Sequence, residues 1–266
     1  MNHSPPAASD ERPTVSQAPP HLSIVLPAYN EAGRIVRCLD DLIAWTSNRD
    51  EMIEIVIVDD GSSDDTAAIA DRIARSHACI RVLREPHLGK ANAVLTGLEA
   101  SRGDWAGFCD VDLATPMATW DQCDAAFRNG ADVAIASREG IDAVRVGEPW
   151  YRHVMGRAFN GLIQVLLLPG VNDTQCGFKF FSRDALATIL PRCQLYRGAE
   201  VIARPRVTAF DVELLYIARL QRLRVAVISI TWTYGEHTKV NPITDTLQNL
   251  RDVLHVRWNG WRGKYE

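Results

Sequence analysis

Three short polar clusters in this chain combine residue types and spacings that could do chemistry: Pro27-Ala-Tyr-Asn-Glu31, Asp59-Asp60-Gly61-Ser62 and Asp110-Val-Asp112. Two carboxylates spaced D-x-D at a strand terminus point to the same side of the backbone and suit a hard divalent cation bridging a diphosphate. A single D-x-D is common in solvated turns and carries little alone. Three clusters, each directly after an apolar run, are hard to attribute to chance. Gly89-Lys90 adds a fourth element, because a glycine ahead of a helix lets the helix N-terminus approach an anion closely and leaves Lys90 to contact phosphate. It is not a Walker lysine, since Gly-x-x-x-x-Gly-Lys-Ser/Thr is absent, and no G-x-G-x-x-G follows a strand.

The elements that position these clusters follow from hydrophobic patterning. Short β-branched or apolar runs at 22–26, 53–58, 80–83, 105–109 and 132–136 predict strands. Between them lie helical patterns. The first has Asn30 as its N-cap and Ile35, Leu39, Leu42 and Ile43 on one face. The second starts at Ser63 or Asp64 and buries Ile69 and Ile73. The third turns Ala91, Val94, Leu95 and Leu98 inward. Near-continuous apolar strands alternating with amphipathic helices imply an α/β fold with a mainly parallel central sheet and helices on both faces. Ligands of such sheets bind beyond the carboxyl ends of the strands, where the polar clusters fall. Further on, helices are expected over 149–168, 210–222 and 242–255, and strands over 177–181 and 225–231.

The chain has 266 residues, 47% hydrophobic and 23% charged, enough apolar material for a sizeable core. Residues 1–21 hold five prolines and almost nothing large and apolar, so they read as a disordered tail; without an apolar h-region this is not a signal peptide. Asn172-Asp-Thr174, which fits an N-glycosylation pattern, should then stay unmodified. The net charge of −4 argues against a nucleic-acid partner. Six cysteines without C-x-x-C spacing, and no histidine at ligand spacing, argue against a zinc site or disulfide framework and for a reduced, cytoplasmic chain. The longest uncharged run, 158–172, contains Asn160, Gln164 and Pro169 and falls short of the ~20 apolar residues a membrane span requires.

The run Ser23-Ile-Val-Leu-Pro-Ala-Tyr-Asn-Glu31, then Ile57-Val-Asp-Asp-Gly-Ser62, Gly89-Lys90 and Asp110-Val-Asp112, resembles the signature of family-2 glycosyltransferases. Asp112-Leu-Ala-Thr-Pro116, Ser137-Arg138, Asp173-Thr-Gln-Cys-Gly-Phe-Lys179 and Phe210-Asp-Val-Glu-Leu-Leu-Tyr216 resemble the dolichyl-phosphate glucosyltransferases in particular, over residue 22 to the C-terminus. The resemblance implies a GT-A type nucleotide-diphospho-sugar transferase fold over 22–241 and inverting transfer of glucose from UDP-glucose to a polyprenyl phosphate. The alternative within it is a GDP-mannose-dependent mannosyltransferase. It also implies that Pro27, Tyr29, Glu31 and Asp60 frame the nucleoside, with Asp60 the partner of the base. Asp110 then faces the ribose or the diphosphate, and Asp112 holds Mg²⁺ or Mn²⁺. Arg138 and Arg145, with Lys179 or Lys239, would grip the acceptor phosphate, since cationic forks match phosphate oxygens. Asp211 and Glu213 fall where an acidic residue of many inverting members contacts the acceptor or acts as base. Ala114 stands where related mannose synthases carry a metal-binding Gln, so the metal shell relies on Asp112, phosphate oxygens and water.

Residues 242–266 form an amphipathic helix and tail that interleave Arg251, Arg257, Arg262 and Lys264 with Trp258, Trp261 and Tyr265. That composition suits an anionic membrane surface, with peripheral attachment at the cytoplasmic face, and equally a plain surface helix with an aromatic docking face. Two other classes compete. Ile-Val-Asp59-Asp60 is similar to the acidic pair of response-regulator receivers, but those are about half this length and begin with the acidic strand. A non-catalytic nucleotide-sugar-binding protein is disfavoured by the intact Asp112.

Overall fold

The computed structural model describes residues 19–140, 142–147, 150–196, 201–202, 208–233 and 242–266. The first half alternates strictly: β1 (Leu22–Ala28), α1 (Ile35–Ser47), β2 (Ile53–Asp60), α2 (Thr66–Ala74), β3 (Ile80–Glu85), α3 (Lys90–Ala100), β4 (Trp105–Cys109), α4 (Thr119–Arg128) and β5 (Val133–Ser137). The second half holds β6 (Val144–Val146), α5 (Trp150–Leu166), β7 (Phe178–Ser182), α6 (Arg183–Ile189), α7 (Phe210–Leu220), β8 (Val225–Ser229), β9 (Thr231–Thr233) and α8 (Pro242–Trp261).

Seven strands form one sheet in the order β3-β2-β1-β4-β7-β5-β8. All neighbours are parallel except β7, which runs antiparallel to both β4 and β5. Side chains alternate across the pleat. Along β1, Val25 joins a core with α3, α6, α7 and α8, while Ile24 and Leu26 join the opposite core with α1 and α4. At Gly97 in α3, a Cβ would come within 2.2 Å of Val25 Cγ1, so the glycine seats α3 directly on β1. This close approach holds the helix start at Lys90 against the carboxyl edge of the sheet. At the opposite edge, buried Glu54 accepts hydrogen bonds from Ser23, Arg102 and Arg81. Burial would raise its pKa, but these donors hold it below the usual carboxylate value.

Five expectations are corrected. Helix α1 starts at Ile35 rather than at an Asn30 cap, because Asn30 sits at φ 52° and its Oδ1 accepts from the Ser63 amide across the loop. Helix α2 begins at Thr66, not at residue 63 or 64, because Asp64 caps the turn ahead of it by accepting from the Thr66 amide. Ile69 and Ile73 are only partly buried against the core. The strand expected over 225–231 divides at Ile230: β8 stays in the main sheet and β9 pairs in parallel with β6. The C-terminal helix runs past residue 255 to Trp261, and Val253, Val256 and Tyr265 lie in the core, so this segment is built into the domain.

Candidate active site

The loops leaving β1 and β2 are sewn together. The Asn30 amide donates to Ser62 Oγ at 3.0 Å and the Glu31 amide to Thr66 Oγ1 at 2.7 Å. Glu31 pairs with Arg34 at 2.7 Å, and Pro27 lies in register with Val58, one residue before the β1–β2 pairing ends at Ala28 and Asp59. Asp60, 2% exposed, accepts from the Leu88 amide at 2.8 Å, the Gly89 amide at 3.0 Å and His87 Nδ1 at 2.7 Å. Its carboxylate is therefore committed to the loop that delivers Lys90. Tyr29 stacks on the His87 ring, centroids 3.8 Å apart and planes 5° from parallel. Gly61 at φ 68° is obligatory here, since a Cβ would lie 2.6 Å from the His87 amide nitrogen.

Asp110 and Asp112 follow the last residue of β4. Asp110 forms an ion pair with Lys90 at the start of α3. The Gly177 backbone presses on it from the other side, where a Cβ would meet Asp110 Oδ2 at 2.2 Å. Asp112 is exposed, with Oδ1 accepting from the Ala114 amide at 3.1 Å. Burial of its carboxylate oxygens and the neighbouring Asp110 charge raise its pKa. Burial works against charge on Lys90 as well, but Asp110, helped by Asp211 and Asp112, raises its pKa and keeps it cationic.

Across β4 and β7 the charges continue to alternate. Arg138, just after β5, holds Asp173 in a two-pronged contact, Nε to Oδ2 at 2.8 Å and Nη2 to Oδ1 at 2.9 Å, while its amide adds a third bond to Oδ2. Burial would raise the Asp173 pKa, but the Arg138 guanidinium lowers it to about 2. The Arg138 guanidinium also lies 5.2 Å from the Trp232 ring centroid. Lys179, 0% exposed, donates to Asp211 Oδ2 at 3.1 Å and to the Cys176 carbonyl. Burial raises the pKa of Asp211, opposed by Lys179 and Lys90.

The expected residues thus divide. Tyr29, Glu31, Asp60, Lys90, Asp110 and Asp112 gather at the ends of β1, β2 and β4, and Arg138 and Asp211 come to the neighbouring β5 and β7 side. Lys179 is corrected: it is a buried counter-ion of Asp211, not an exposed grip for an acceptor phosphate. Glu213 is corrected too, for it points into the core, 1% exposed, and accepts from Tyr265 Oη at 2.8 Å and the amides of Gln194 and Leu195. Its three-residue neighbourhood in sequence gave no sign of these distant partners. Arg145 lies on β6, and Lys239 falls outside the described residues. His87 and Asp173 belong in the site although sequence reading gave neither a role. The signal for His87 was its place three residues before Lys90, and for Asp173 its place in the selective Asp173–Lys179 motif.

As for a metal, no group of three or more His, Cys, Asp or Glu among the described residues could hold one. What is present is a pair of hard carboxylates, the proton affinity of Asp112 being raised by burial and then by the Asp110 charge. A divalent cation relieves that repulsion, and Mg²⁺-type sites that bind phosphates take one or two carboxylates and fill the rest with phosphate oxygens and water. The donor set fits such a cation.

The family model described as Glycosyl transferase family 2 matches residues 23–190. Among curated proteins, the dolichyl-phosphate beta-glucosyltransferase of Dictyostelium discoideum is 30% identical over 252 residues, 90% of this chain and 74% of that protein. The dolichyl-phosphate beta-glucosyltransferase of Homo sapiens is 30% identical over 251 residues, covering 89% and 74%. Among solved structures, glucosyl-3-phosphoglycerate synthase from Mycobacterium tuberculosis in complex with Mn²⁺ and uridine-diphosphate-glucose aligns with a TM-score of 0.60 at 22% identity, covering 90% of this chain and 79% of that one. A likeness at that identity shows the shared GT-A fold.

Proposed function

The chain belongs to glycosyltransferase family 2, and on that premise we propose that it transfers glucose from UDP-glucose to a polyprenyl, dolichyl-type phosphate with inversion, giving a β-linked lipid-phosphate sugar. The observation that carries the reading is the alternating row Arg138–Asp173, Lys179–Asp211, Lys90–Asp110 and then Asp112 along the carboxyl edge of the sheet. Within it Lys90, Asp110, Arg138 and Asp112 are the members that are not fully buried, and two cations beside a metal-binding carboxylate suit two phosphate-bearing reactants held side by side. The relatives named above supply the sugar and the acceptor class.

On this reading Asp112, with Asp110 beside it, holds Mg²⁺ or Mn²⁺ on the donor diphosphate. When bound, that cation stabilises the negative charge developing on the leaving nucleotide. Lys90 adds charge stabilisation from the start of α3. Arg138, locked by Asp173, presents a guanidinium toward the acceptor phosphate. A lipid monophosphate is already largely anionic near neutral pH, so its oxygen forms the new bond to the anomeric carbon as the carbon–oxygen bond to UDP breaks. The bonding pair of that carbon–oxygen bond leaves with UDP, and no proton has to be removed from the acceptor.

The acceptor reading also calls for membrane contact. Among the described residues no helix is long and apolar enough to cross a membrane. The outer face of α8 leaves Leu247, Leu254, Trp258 and Trp261 exposed, Trp261 at 72%, beside Arg251 and Arg257. An apolar stripe flanked by arginines suits the interface of an anionic leaflet.

The test is a panel of sugar nucleotides given to the full chain with a polyprenyl phosphate, with and without divalent cation. UDP-glucose should exceed GDP-mannose and other donors, and EDTA should abolish turnover. Asp112→Asn should lower turnover by about 10²–10³, as loss of one electrostatic stabiliser does, with an unchanged circular-dichroism melt. Full activity in EDTA, or preference for GDP-mannose, contradicts the assignment.

A further inference from the structure

His87 has no part in the transfer step described above, yet the turn it opens, residues 87–89, is gripped on two sides. On one side its ring stacks face to face on Tyr29, centroids 3.8 Å apart. Its Nδ1 lies 2.7 Å from Asp60 Oδ2 and 3.1 Å from the Asp60 carbonyl. Both are acceptors, so Nδ1 carries the proton and donates. The same carboxylate accepts from the amides of Leu88 at 2.8 Å and Gly89 at 3.0 Å. On the other side the Ile202 amide donates to the His87 carbonyl at 2.8 Å, and a Cβ on Gly89 would lie 3.2 Å from Ile202 Cδ1. Gly89, at φ 99°, is the N-cap of α3, and Lys90 is the first residue of that helix.

The choice of histidine is informative. Its Nε2 is buried with no hydrogen-bond partner among the described residues, and a buried acceptor left unmet is destabilising. A phenylalanine would stack on Tyr29 without that cost. What the imidazole adds is the Nδ1 proton given to Asp60, and this bond is the gain that offsets the unmet nitrogen.

We infer that His87 is a positioning residue for Lys90: its Nδ1 proton fixes the Asp60 carboxylate, which holds the Leu88 and Gly89 amides and so sets where α3 begins. The inference rests on the reading of Lys90 as a contact of the donor diphosphate. A lysine is a point charge on a flexible four-carbon stem, so what the fold can fix is its backbone. Here that backbone follows directly on the clamped turn, and the ammonium reaches Asp110. A cation already in place when the diphosphate arrives needs no reorganisation, which is the condition for strong charge stabilisation. His87 itself stays buried and touches no substrate. It acts through Asp60 and the turn.

Calorimetric titration of the full chain with UDP and with uridine, both in Mn²⁺, isolates the phosphate-dependent part of donor affinity as the ratio of the two dissociation constants. Changes in contacts to the nucleoside cancel in that ratio. Lys90→Ala should shrink it by about ten-fold or more, the size of one charge-assisted hydrogen bond. His87→Ala should shrink it by about the same factor, and the double variant should fall no further than Lys90→Ala, as expected of coupled residues. His87→Asn, whose amide nitrogen replaces Nδ1 as donor to Asp60, should recover most of the ratio, whereas His87→Phe, which keeps only the stack, should not. A merely structural role lowers the melting temperature and leaves the ratio at its wild-type value. An unchanged ratio in His87→Ala beside a reduced one in Lys90→Ala overturns the role of His87 and leaves Lys90 on the diphosphate. Additive losses in the double variant, or recovery by Phe and not by Asn, overturn it equally. An unchanged ratio in Lys90→Ala removes the diphosphate contact and the inference with it. Should His87→Ala melt far below the wild type, His87→Phe decides: a reduced ratio supports the inference and a wild-type ratio overturns it.

Discussion

Asp173 and Arg138 show how one residue pair serves both stability and chemistry. Asp173 is 0% exposed, and Arg138 meets it through two side-chain nitrogens and its own amide. The folded carboxyl titrates at about 2, below its unfolded value of about 3.9. A depressed pKa contributes stability that is fully present above pH ~4 and is lost as pH falls through about 2. The shift corresponds to roughly 2–3 kcal/mol. Asp173→Asn should therefore flatten the fall in denaturant midpoint between pH 4 and pH 2, measured by chemical unfolding at successive pH values. Equal slopes in variant and wild type would show that the pair does not carry this linkage. The variant should also weaken the use of lipid phosphate more than donor binding, because an unlocked guanidinium no longer presents a fixed fork.

The elements that carry the site were largely legible in the sequence, and the exceptions have physical causes. The β1, β2 and β4 runs are apolar and flanked by polar turns, so their carboxyl ends and the clusters there could be located. The division of β8 from β9 could not, because pairing with β6 rather than β5 is decided by a distant strand. Asp211 and Glu213 were indistinguishable as two acids in the first turn of α7. In three dimensions they face opposite ways, Asp211 toward Lys179 at the site and Glu213 toward Tyr265 in the core. Glu213→Gln should accordingly lower stability by about 1–3 kcal/mol, as a buried charged acceptor with several donors is weakened, while kcat stays near that of the wild type. Asp211→Asn should lower kcat without removing a limb from the pH–rate profile, since the acceptor needs no base. A large kcat loss in Glu213→Gln at unchanged melting temperature, or a lost limb in Asp211→Asn, would contradict these roles.

At the scale of the whole molecule, one edge of the sheet carries the charged row and α8 closes the core behind it. Asp252 on the inner side of α8 accepts from Tyr196 Oη and the Ala209 amide, and thus ties the helix to the segment leading into Asp211. Deleting α8 would open the core, so its outer face is better tested by point changes. Leu254→Glu with Trp258→Glu and Trp261→Glu should abolish sedimentation with anionic vesicles at low salt. Attraction of this kind is screened as ionic strength rises, and turnover of a short, detergent-soluble polyprenyl phosphate should be unchanged. Vesicle binding equal to the wild type would remove the membrane role from this face. The central claim is that a lipid phosphate attacks the sugar directly, from the side opposite the departing UDP. The most direct measurement is NMR of the anomeric linkage in the product formed from UDP-glucose and polyprenyl phosphate. A β-glucosyl phosphate is the predicted product; an α-linked product, or free glucose with the lipid phosphate unconsumed, would contradict the account.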